Sequence, residues 1–353
     1  MKCKICGNYS KLLFSLENST KTQALCNTIQ ESQQVPIIKL DIYYCDCCDF
    51  YQIAPIKFLH YEDKNYFLTT EISKSQQNYQ NWLYQKLNGF LKSPVAEIGP
   101  GDGYFGSLLS KEYKYTGFEP AGKSYEKCLK KDLNVINDYF CPNKYKIGFK
   151  TIVARQVFEH IEDTNKFLQD VYSSLDKDGI AVFEVPNIDK ARRLNRTVDF
   201  CPEHLNYFTS TSIALSFSVN GFEVDIMKKT FEDEYLLIVA RKREQFINFK
   251  ADLDFSNMVF YGAGSRGVTL CHHLKAKPKY FVDSDPNKIG KYIPGTSISV
   301  KDFKYLMNDK SCESVLITGF FYFNEILSVL RQSGFDGEIY TINEKSEMVK
   351  CTK

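Results

Sequence analysis

Apolar and polar residues follow one another along this chain in short blocks whose period changes. From Val95 onward, runs of five to seven mostly apolar residues recur: VAEIG, YTGFE, NVIND, TIVARQV and IAVFEVP. Between them lie stretches with apolar residues at helical spacing, YFGSLLSKEY, KSYEKCLKKD and DTNKFLQDVYSSLDKDG, the last closing on Gly179 as its C-cap. Short apolar strands separated by helices predict a parallel, doubly wound sheet, because each crossover needs a helix and each strand is covered on both faces. Upstream, Tyr79, Trp82, Leu83, Leu87 and Phe90 predict a helix over Ser73–Leu91 that leads into this domain. After Pro186 the polar, basic stretch NIDKARRLNRT reads as a loop or lid. EHLNYFTSTSIALSFSVNGFEVDIMKKTF then predicts a helix and a strand, and DEYLLIVARK an apolar strand that closes the sheet.

The charged stretch REQFINFKADLDF reads as a linker. Beyond it a second α/β unit opens with VFYGAGSRG and continues through KYFVDSDP, CESVLITGF and EIYTI. Before the first sheet, cysteines are mixed with short β-like runs such as IIKLDIYYC. The expected division is a small N-terminal module over 1–70, a doubly wound α/β domain over 71–245 and a Rossmann-like α/β domain over 246–353.

Composition narrows the classes. At 353 residues the chain has room for two or three domains. A net charge of +2 gives no electrostatic reason to expect nucleic acid or an anionic membrane as partner. There is no apolar run long enough to cross a bilayer, and MKCKICGNYSK lacks the apolar core of a signal peptide, so a cytoplasmic protein is expected. In a reducing cytosol the 12 cysteines are not expected to form disulfides. Five of the six in the first 48 residues, Cys3, Cys6, Cys45, Cys47 and Cys48, fall in two tight groups and point to a metal. The other seven read as small buried hydrophobes.

Cys3-x-x-Cys6 and Cys45-x-x-Cys48 are two knuckles with 38 residues between them. Two thiolates on each of two tight turns complete a tetrahedron around Zn²⁺, and such a closed site is structural. A redox CxxC needs only one pair at a helix start. Cys47 is taken as a bystander.

In EIGPGDGYFG the glycines fall at 99, 101 and 103, and Tyr104 stands where a dinucleotide fingerprint has its third glycine. That spacing makes room for an amino acid and a ribose rather than a pyrophosphate. Glu97 at the strand end is placed to meet an ammonium. Glu119, in GFEP, lies 20 residues past Gly99, where a carboxylate accepts ribose hydroxyls. Asp138 and Tyr139 follow the third strand, where an adenine is gripped. Arg155, at the end of the fourth strand, is counted with the cofactor residues.

The pattern EIGPGDGYFG…GFEP…ARQVFEHIED…GIAVFEVPN resembles the class I S-adenosylmethionine-dependent methyltransferases. CxxC…YYCDCCDFYQ is similar to the zinc module of the sugar C-methyltransferases, PEHLNYF to that family's EHLxYF, and FVDSDPNKIGKYIPGTSI to its C-terminal domain. The three occur in the family's order and span nearly the whole chain. The resemblance implies S-adenosylmethionine and structural Zn²⁺ as cofactors. It implies a nucleotide-linked keto-deoxysugar as the small-molecule substrate, in a monomer or homodimer.

Five histidines are present. His160 follows the fourth strand and His204 follows the basic stretch after the fifth. Both therefore face the crevice at the strand ends, and an imidazole suits general-base work near neutral pH. The resemblance implies that His204 removes a proton from the carbon beside a ketone, with His160 as a second active-site histidine. Glu203 orients an imidazole or binds a substrate hydroxyl. One departure stands out: where the family often has an aromatic hydroxyl three residues before the final histidine, this chain has Cys201. An alcohol acceptor, which needs a base but no enolate stabiliser, therefore stays open, as does a polyketide, lipid or peptide acceptor. A non-catalytic scaffold of zinc and glycine-rich folds is a further reading. His272 and His273 read as surface or packing residues, and Tyr61 and Tyr66, near His60, as residues that close over substrate or simply pack.

Gly262-x-Gly264-x-x-Gly267 fits the dinucleotide fingerprint better than the first turn, with Asp283 ending the next strand. The resemblance favours a structural turn without a redox cofactor. Arg266 at the helix start, and Arg192, Arg193 and Arg196 in the basic stretch, attract a substrate phosphate or are simply exposed.

Overall fold

The computed structural model describes residues 1–22, 25–56, 73–145, 148–243, 255–343 and 347–351. His60, Tyr61, Tyr66 and most of the expected linker lie outside the described residues. The chain divides into two compact units, Met1–Arg243 and Glu244–Lys353.

The first unit opens with β1 (Lys11–Thr20), α1 (Ile29–Gln34), β2 (Ile37–Cys45) and β3 (Phe50–Ile53). There follow α2 (Lys74–Leu87), β4 (Val95–Ile98), α3 (Tyr104–Leu109), β5 (Tyr115–Phe118), α4 (Gly122–Leu129), β6 (Val135–Ile136), α5 (Pro142–Tyr145) and β7 (Phe149–Arg155). The unit ends with α6 (Thr164–Ser174), β8 (Leu175–Pro186), α7 (Ile188–Leu194), β9 (Asn206–Tyr207), α8 (Ser210–Val219), β10 (Phe222–Thr230) and β11 (Tyr235–Lys242).

Seven strands form one sheet in the order β10-β11-β8-β7-β4-β5-β6. All run parallel except β11, which is antiparallel to both of its neighbours. The strand order reverses between β4 and β7, and the crevice of such a sheet opens at the C-terminal ends of those strands. Alternation along each strand explains the near-continuous apolar runs. Val95, Val153, Val182 and Leu237 pack on one face with Leu83 and Leu87 of α2 and Phe105 of α3. Ala96, Ile98, Phe118, Ile152, Phe183 and Ile238 pack on the other.

Three expectations need correction. DEYLLIVARK does not lie at the edge: β11 sits between β8 and β10, which explains why its Leu236–Ala240 core is buried on both faces. The edge belongs to β10. The helix before Gly179 ends at Ser174, because Leu175 is already extended (φ −81°, ψ 141°) and starts β8. The basic stretch is the helix α7, started by Asn187, whose side chain accepts the Asp189 N–H, and stopped by Asn195 in the left-handed region. Its arginines are already neutralised. Arg192 pairs with Asp49 and Asp189, Arg193 with Asp233, and Arg196 with Asp199 and Glu234.

The N-terminal strands form a separate sheet, β1-β2-β3-β9, whose fourth strand comes from residues far along the chain. Tyr51 pairs with Tyr207 and Gln52 with Asn206.

The second unit contains β12 (Met258–Tyr261), α9 (Ser265–His273), β13 (Phe281–Val282), β14 (Val300–Lys301) and α10 (Phe303–Asn308). It continues with β15 (Ser314–Ile317), α11 (Phe323–Gln332), β16 (Glu338–Ile342) and β17 (Met348–Lys350). Its sheet, β14-β13-β12-β15-β16-β17, is parallel apart from the last strand, a Rossmann-like arrangement.

Candidate active site

The turn between β4 and α3 is built from glycine conformations. Gly99, Gly101 and Gly103 have φ of 68°, 60° and 76°, a region that side chains with a Cβ rarely adopt. A Cβ on Gly99 would lie 2.7 Å from Val157 Cγ2, so this glycine lets the turn after β7 close against the loop. A Cβ on Gly101 would meet nothing within 4 Å: the backbone there faces open space.

Glu119 is folded onto this turn. Its carboxylate accepts the Gly101 N–H and the Ala121 N–H, each at 2.9 Å, and burial pushes its pKa up to about 7. Glu97 lies on the α2/α3 face of the sheet, buried, and accepts the Tyr115 hydroxyl at 2.7 Å. Burial raises it too, to about 7. Pro120, Gly122, Asn137, Asp138 and Tyr139 line a cleft of about 310 Å³. Within it the Asp138 carboxylate already accepts the Tyr139 N–H, the Tyr145 hydroxyl and the Lys144 ammonium, which hold its pKa down at about 2. Arg155 is also largely enclosed, its side chain 9% exposed. Its Nη2 donates to Glu184 Oε1 at 3.0 Å, and its guanidinium carbon lies 4.6 Å from the centre of the Phe105 ring. Glu184 also accepts the Tyr79 hydroxyl from α2. As site residues, Tyr79, Tyr115 and Glu184 were not anticipated from the sequence, where Tyr79 stood only as an apolar position of its helix. Glu184 carried a signal, being a lone acid inside the apolar run IAVFEVP, where a buried charge demands a partner.

His160 and His204 come together, with ring centroids 4.8 Å apart and planes at 78°. His160 Nδ1 bonds the Glu203 carbonyl oxygen at 2.8 Å, so that nitrogen carries the proton of the neutral ring. Burial lowers His160 to about 4 and His204 to about 3, which keeps both imidazoles neutral at pH 7. Glu159, also missed, places Oε1 3.9 Å from His160 Nε2. The segments holding the two histidines are tied together: the Leu205 N–H donates to the Glu159 carbonyl, and Asn206 Nδ2 donates to the carbonyls of Phe158 and Ile161. The Glu203 carboxylate is buried and accepts the Thr22 hydroxyl at 3.2 Å. Cys201 is buried, and its backbone N–H and carbonyl both bond the Tyr207 hydroxyl.

At the N-terminus, Cys3, Cys6, Cys45 and Cys48 bring their sulfurs within 4.8 Å of one another. The Cys3–Cys48 and Cys6–Cys45 sulfur separations are 3.9 and 3.8 Å. Sulfurs in a tetrahedral zinc site with bonds of about 2.3 Å lie about 3.8 Å apart, so the four thiols fit Zn²⁺. Cys47 is exposed and stands outside the cluster, accepting from Asn8 Nδ2.

The second glycine turn is built differently. Only Gly262 of its three glycines has positive φ (121°). A Cβ on Gly267 would lie 2.1 Å from the Gly262 carbonyl oxygen, so that glycine serves close packing of α9 on β12. Asp283 accepts the Ala263 and Asp285 N–H groups and is paired with Lys288 at 2.9 Å. Arg266 stacks on Phe321, and His272 Nε2 bonds the Pro294 carbonyl oxygen.

The first sheet, with its single antiparallel strand second from one edge and its glycine turn at the strand-order switch, has the class I methyltransferase fold. Residues 69–225 match the family described as a methyltransferase domain, and residues 227–339 match the family described as a C-methyltransferase C-terminal domain. The chain is a methyltransferase enzyme, and its second half is similar to the C-terminal domain of C-methyltransferases. Among solved structures it resembles an S-adenosylmethionine-dependent methyltransferase from Clostridium acetobutylicum, at 11% identity over 49% of this chain and 94% of that one, with a TM-score of 0.40. It also resembles a magnesium protoporphyrin IX methyltransferase from Synechocystis, at 13% identity over 48% of this chain and 84% of that one, with a TM-score of 0.40. No curated protein matches the chain.

Proposed function

We propose that this enzyme moves a methyl group from S-adenosylmethionine to the carbon beside a ketone in a nucleotide-linked deoxysugar, with His204 as general base. The observation that carries this reading is the close His160–His204 pair, 4.8 Å between ring centroids, held beside a turn that Gly99 docks against Val157. When bound, S-adenosylmethionine supplies an electrophilic methyl group on its sulfonium.

The chain's own residues do the rest. Glu119 and the open backbone at Gly101 hold the ribose, and Asp138 and Tyr139 line the adenine cleft. Glu97 and Arg155 complete the methionine end. His204, neutral at pH 7, would take the proton from the acceptor carbon and so ready it for the methyl group that bound S-adenosylmethionine would supply, with S-adenosylhomocysteine as the leaving thioether. Glu203 contributes twice: its carbonyl fixes the His160 ring, and its carboxylate is placed for a substrate hydroxyl. The cysteine cluster holds one structural Zn²⁺, a reading supported by the sulfur spacing. The second turn holds no dinucleotide, since Lys288 already neutralises the acid that would bind a ribose.

One observation favours O-methylation instead. The place of an aromatic hydroxyl is taken by Cys201, buried, with its thiol pushed up to about 11, so no acidic hydroxyl stands there to stabilise an enolate. Mass spectrometry of dTDP- and GDP-linked keto-deoxysugars incubated with enzyme and methyl-labelled donor decides between them. Label on a ring carbon supports the first reading and label on oxygen the second. Transfer to none of these sugars, with intact donor binding, overturns both.

A further inference from the structure

The metal knuckle and the catalytic segment share one side chain. Lys4 sits between the ligands Cys3 and Cys6, yet it does not point into solvent. Its Nζ donates to the Leu205 carbonyl at 3.2 Å and to Asn206 Oδ1 at 3.0 Å, the two residues that follow His204. Its backbone is equally committed: the Lys4 N–H donates to Gln52 Oε1 at 3.1 Å, and its carbonyl accepts from Thr164 Oγ1 and Asn165 Nδ2. Gln52 lies on β3 and pairs across to Asn206 of β9, so the same strand registers the knuckle and the catalytic segment. Leu205 is fastened from the opposite side by the Glu159 carbonyl, one residue before His160.

We infer that Lys4 is a positioning residue for His204, and that the N-terminal zinc module exists in this enzyme to hold the base against His160. The inference rests on the proposed role of His204 and on the zinc reading for the cysteine cluster. A charged donor shared between a carbonyl and an amide oxygen locks the backbone directly after the base, where a small rotation would swing the imidazole away from the acceptor. The knuckle gives that donor a rigid mount, because the metal fixes the backbone on both sides of Lys4.

The test compares full-length, zinc-loaded protein with Lys4→Met and Lys4→Arg. Zinc content is checked by mass spectrometry, and hydrogen exchange is followed peptide by peptide. In Lys4→Met the expected result is one retained zinc and about tenfold faster exchange over 201–208, the size of effect expected from losing a charge-assisted hydrogen bond. Exchange in β4 and β7 stays unchanged. Turnover of the dTDP-linked keto-deoxysugar that reacts best falls at least tenfold in kcat, while S-adenosylhomocysteine affinity changes less than twofold. Lys4→Arg, which keeps a cationic donor, restores part of both effects. Unchanged protection over 201–208 in zinc-loaded Lys4→Met overturns the inference, as does a uniform rise in exchange over the whole unit or a lost zinc. His204→Ala separates the two claims: if that variant keeps full turnover, the proposed base is wrong, whereas a dead His204→Ala beside a fully active Lys4→Met removes only the role of Lys4.

Discussion

After β4 the chain spends three glycines on left-handed backbone, with open space at Gly101; after β12 only Gly262 is left-handed, Gly264 also faces open space, and Gly267 lies under the Gly262 carbonyl. The acids differ in the same way. Glu119 accepts two backbone N–H groups and has burial as the main influence on its charge, while Asp283 accepts two and also holds Lys288. The lesson is that glycine spacing reports a tight strand-to-helix turn, and what separates the two turns is their backbone conformation and the cation already held by the acid of the second.

The comparison is broken most easily at the histidines. His204→Ala is expected to lower methyl transfer about 10²–10⁴-fold, the range for loss of a general base, with S-adenosylhomocysteine affinity unchanged. His272→Ala, on the helix after the second turn, is expected to leave transfer intact; steady-state kinetics and calorimetry read both. The next effect is in stability. Gly267→Ala drives a Cβ into backbone and should cost about 2–4 kcal/mol in denaturant unfolding. Gly101→Ala meets no atom, costs about 1 kcal/mol through its positive φ, and acts chiefly by weakening cofactor binding. A smaller contrast lies in the acids. Glu119→Ala should weaken S-adenosylhomocysteine about 10–100-fold, and Asp283→Ala should leave that affinity where it was.

The smallest effect sharpens the electrostatic side. In the ligand-free protein, burial raises the pKa values of Glu97 and Glu119 from 4.5 to about 7. Their folded pKa lies above the unfolded value, so the stability they contribute is fully present below pH 4.5 and is lost as pH rises through about 7. An ammonium arriving at Glu97 favours the ionised form. Cofactor binding near pH 6.5 should therefore release a fraction of a proton, and affinity should rise a few-fold toward pH 8 and then level off. Calorimetry in buffers of different ionisation enthalpy measures this directly. Glu97→Gln should abolish the proton release, and an unchanged signal in that variant places the titration elsewhere.

Periodicity and glycine spacing were enough to read the strands of the seven-stranded sheet, four of the six in the second unit, the first glycine turn and the paired CxxC motifs, because each is a local property of a few consecutive residues. The errors arose where long-range partners decide. NIDKARRLNRT looked like a basic loop because the acids that neutralise it, Asp49, Asp233 and Glu234, lie far away in the chain. β11 looked terminal because the reversal that inserts it between β8 and β10 leaves no mark in its own composition.

The sequence by itself determined the fold class and the kind of enzyme, and nominated residues for the chemistry at the ends of a parallel sheet's strands. Only the tertiary structure decided which of them meet. It set His160 against His204, gave Arg155 to Glu184, and sent Lys4 across 201 residues of chain to the segment beside His204. Pairing of side chains distant in sequence depends on strand order and register, which are properties of the whole packed core and of no single stretch within it.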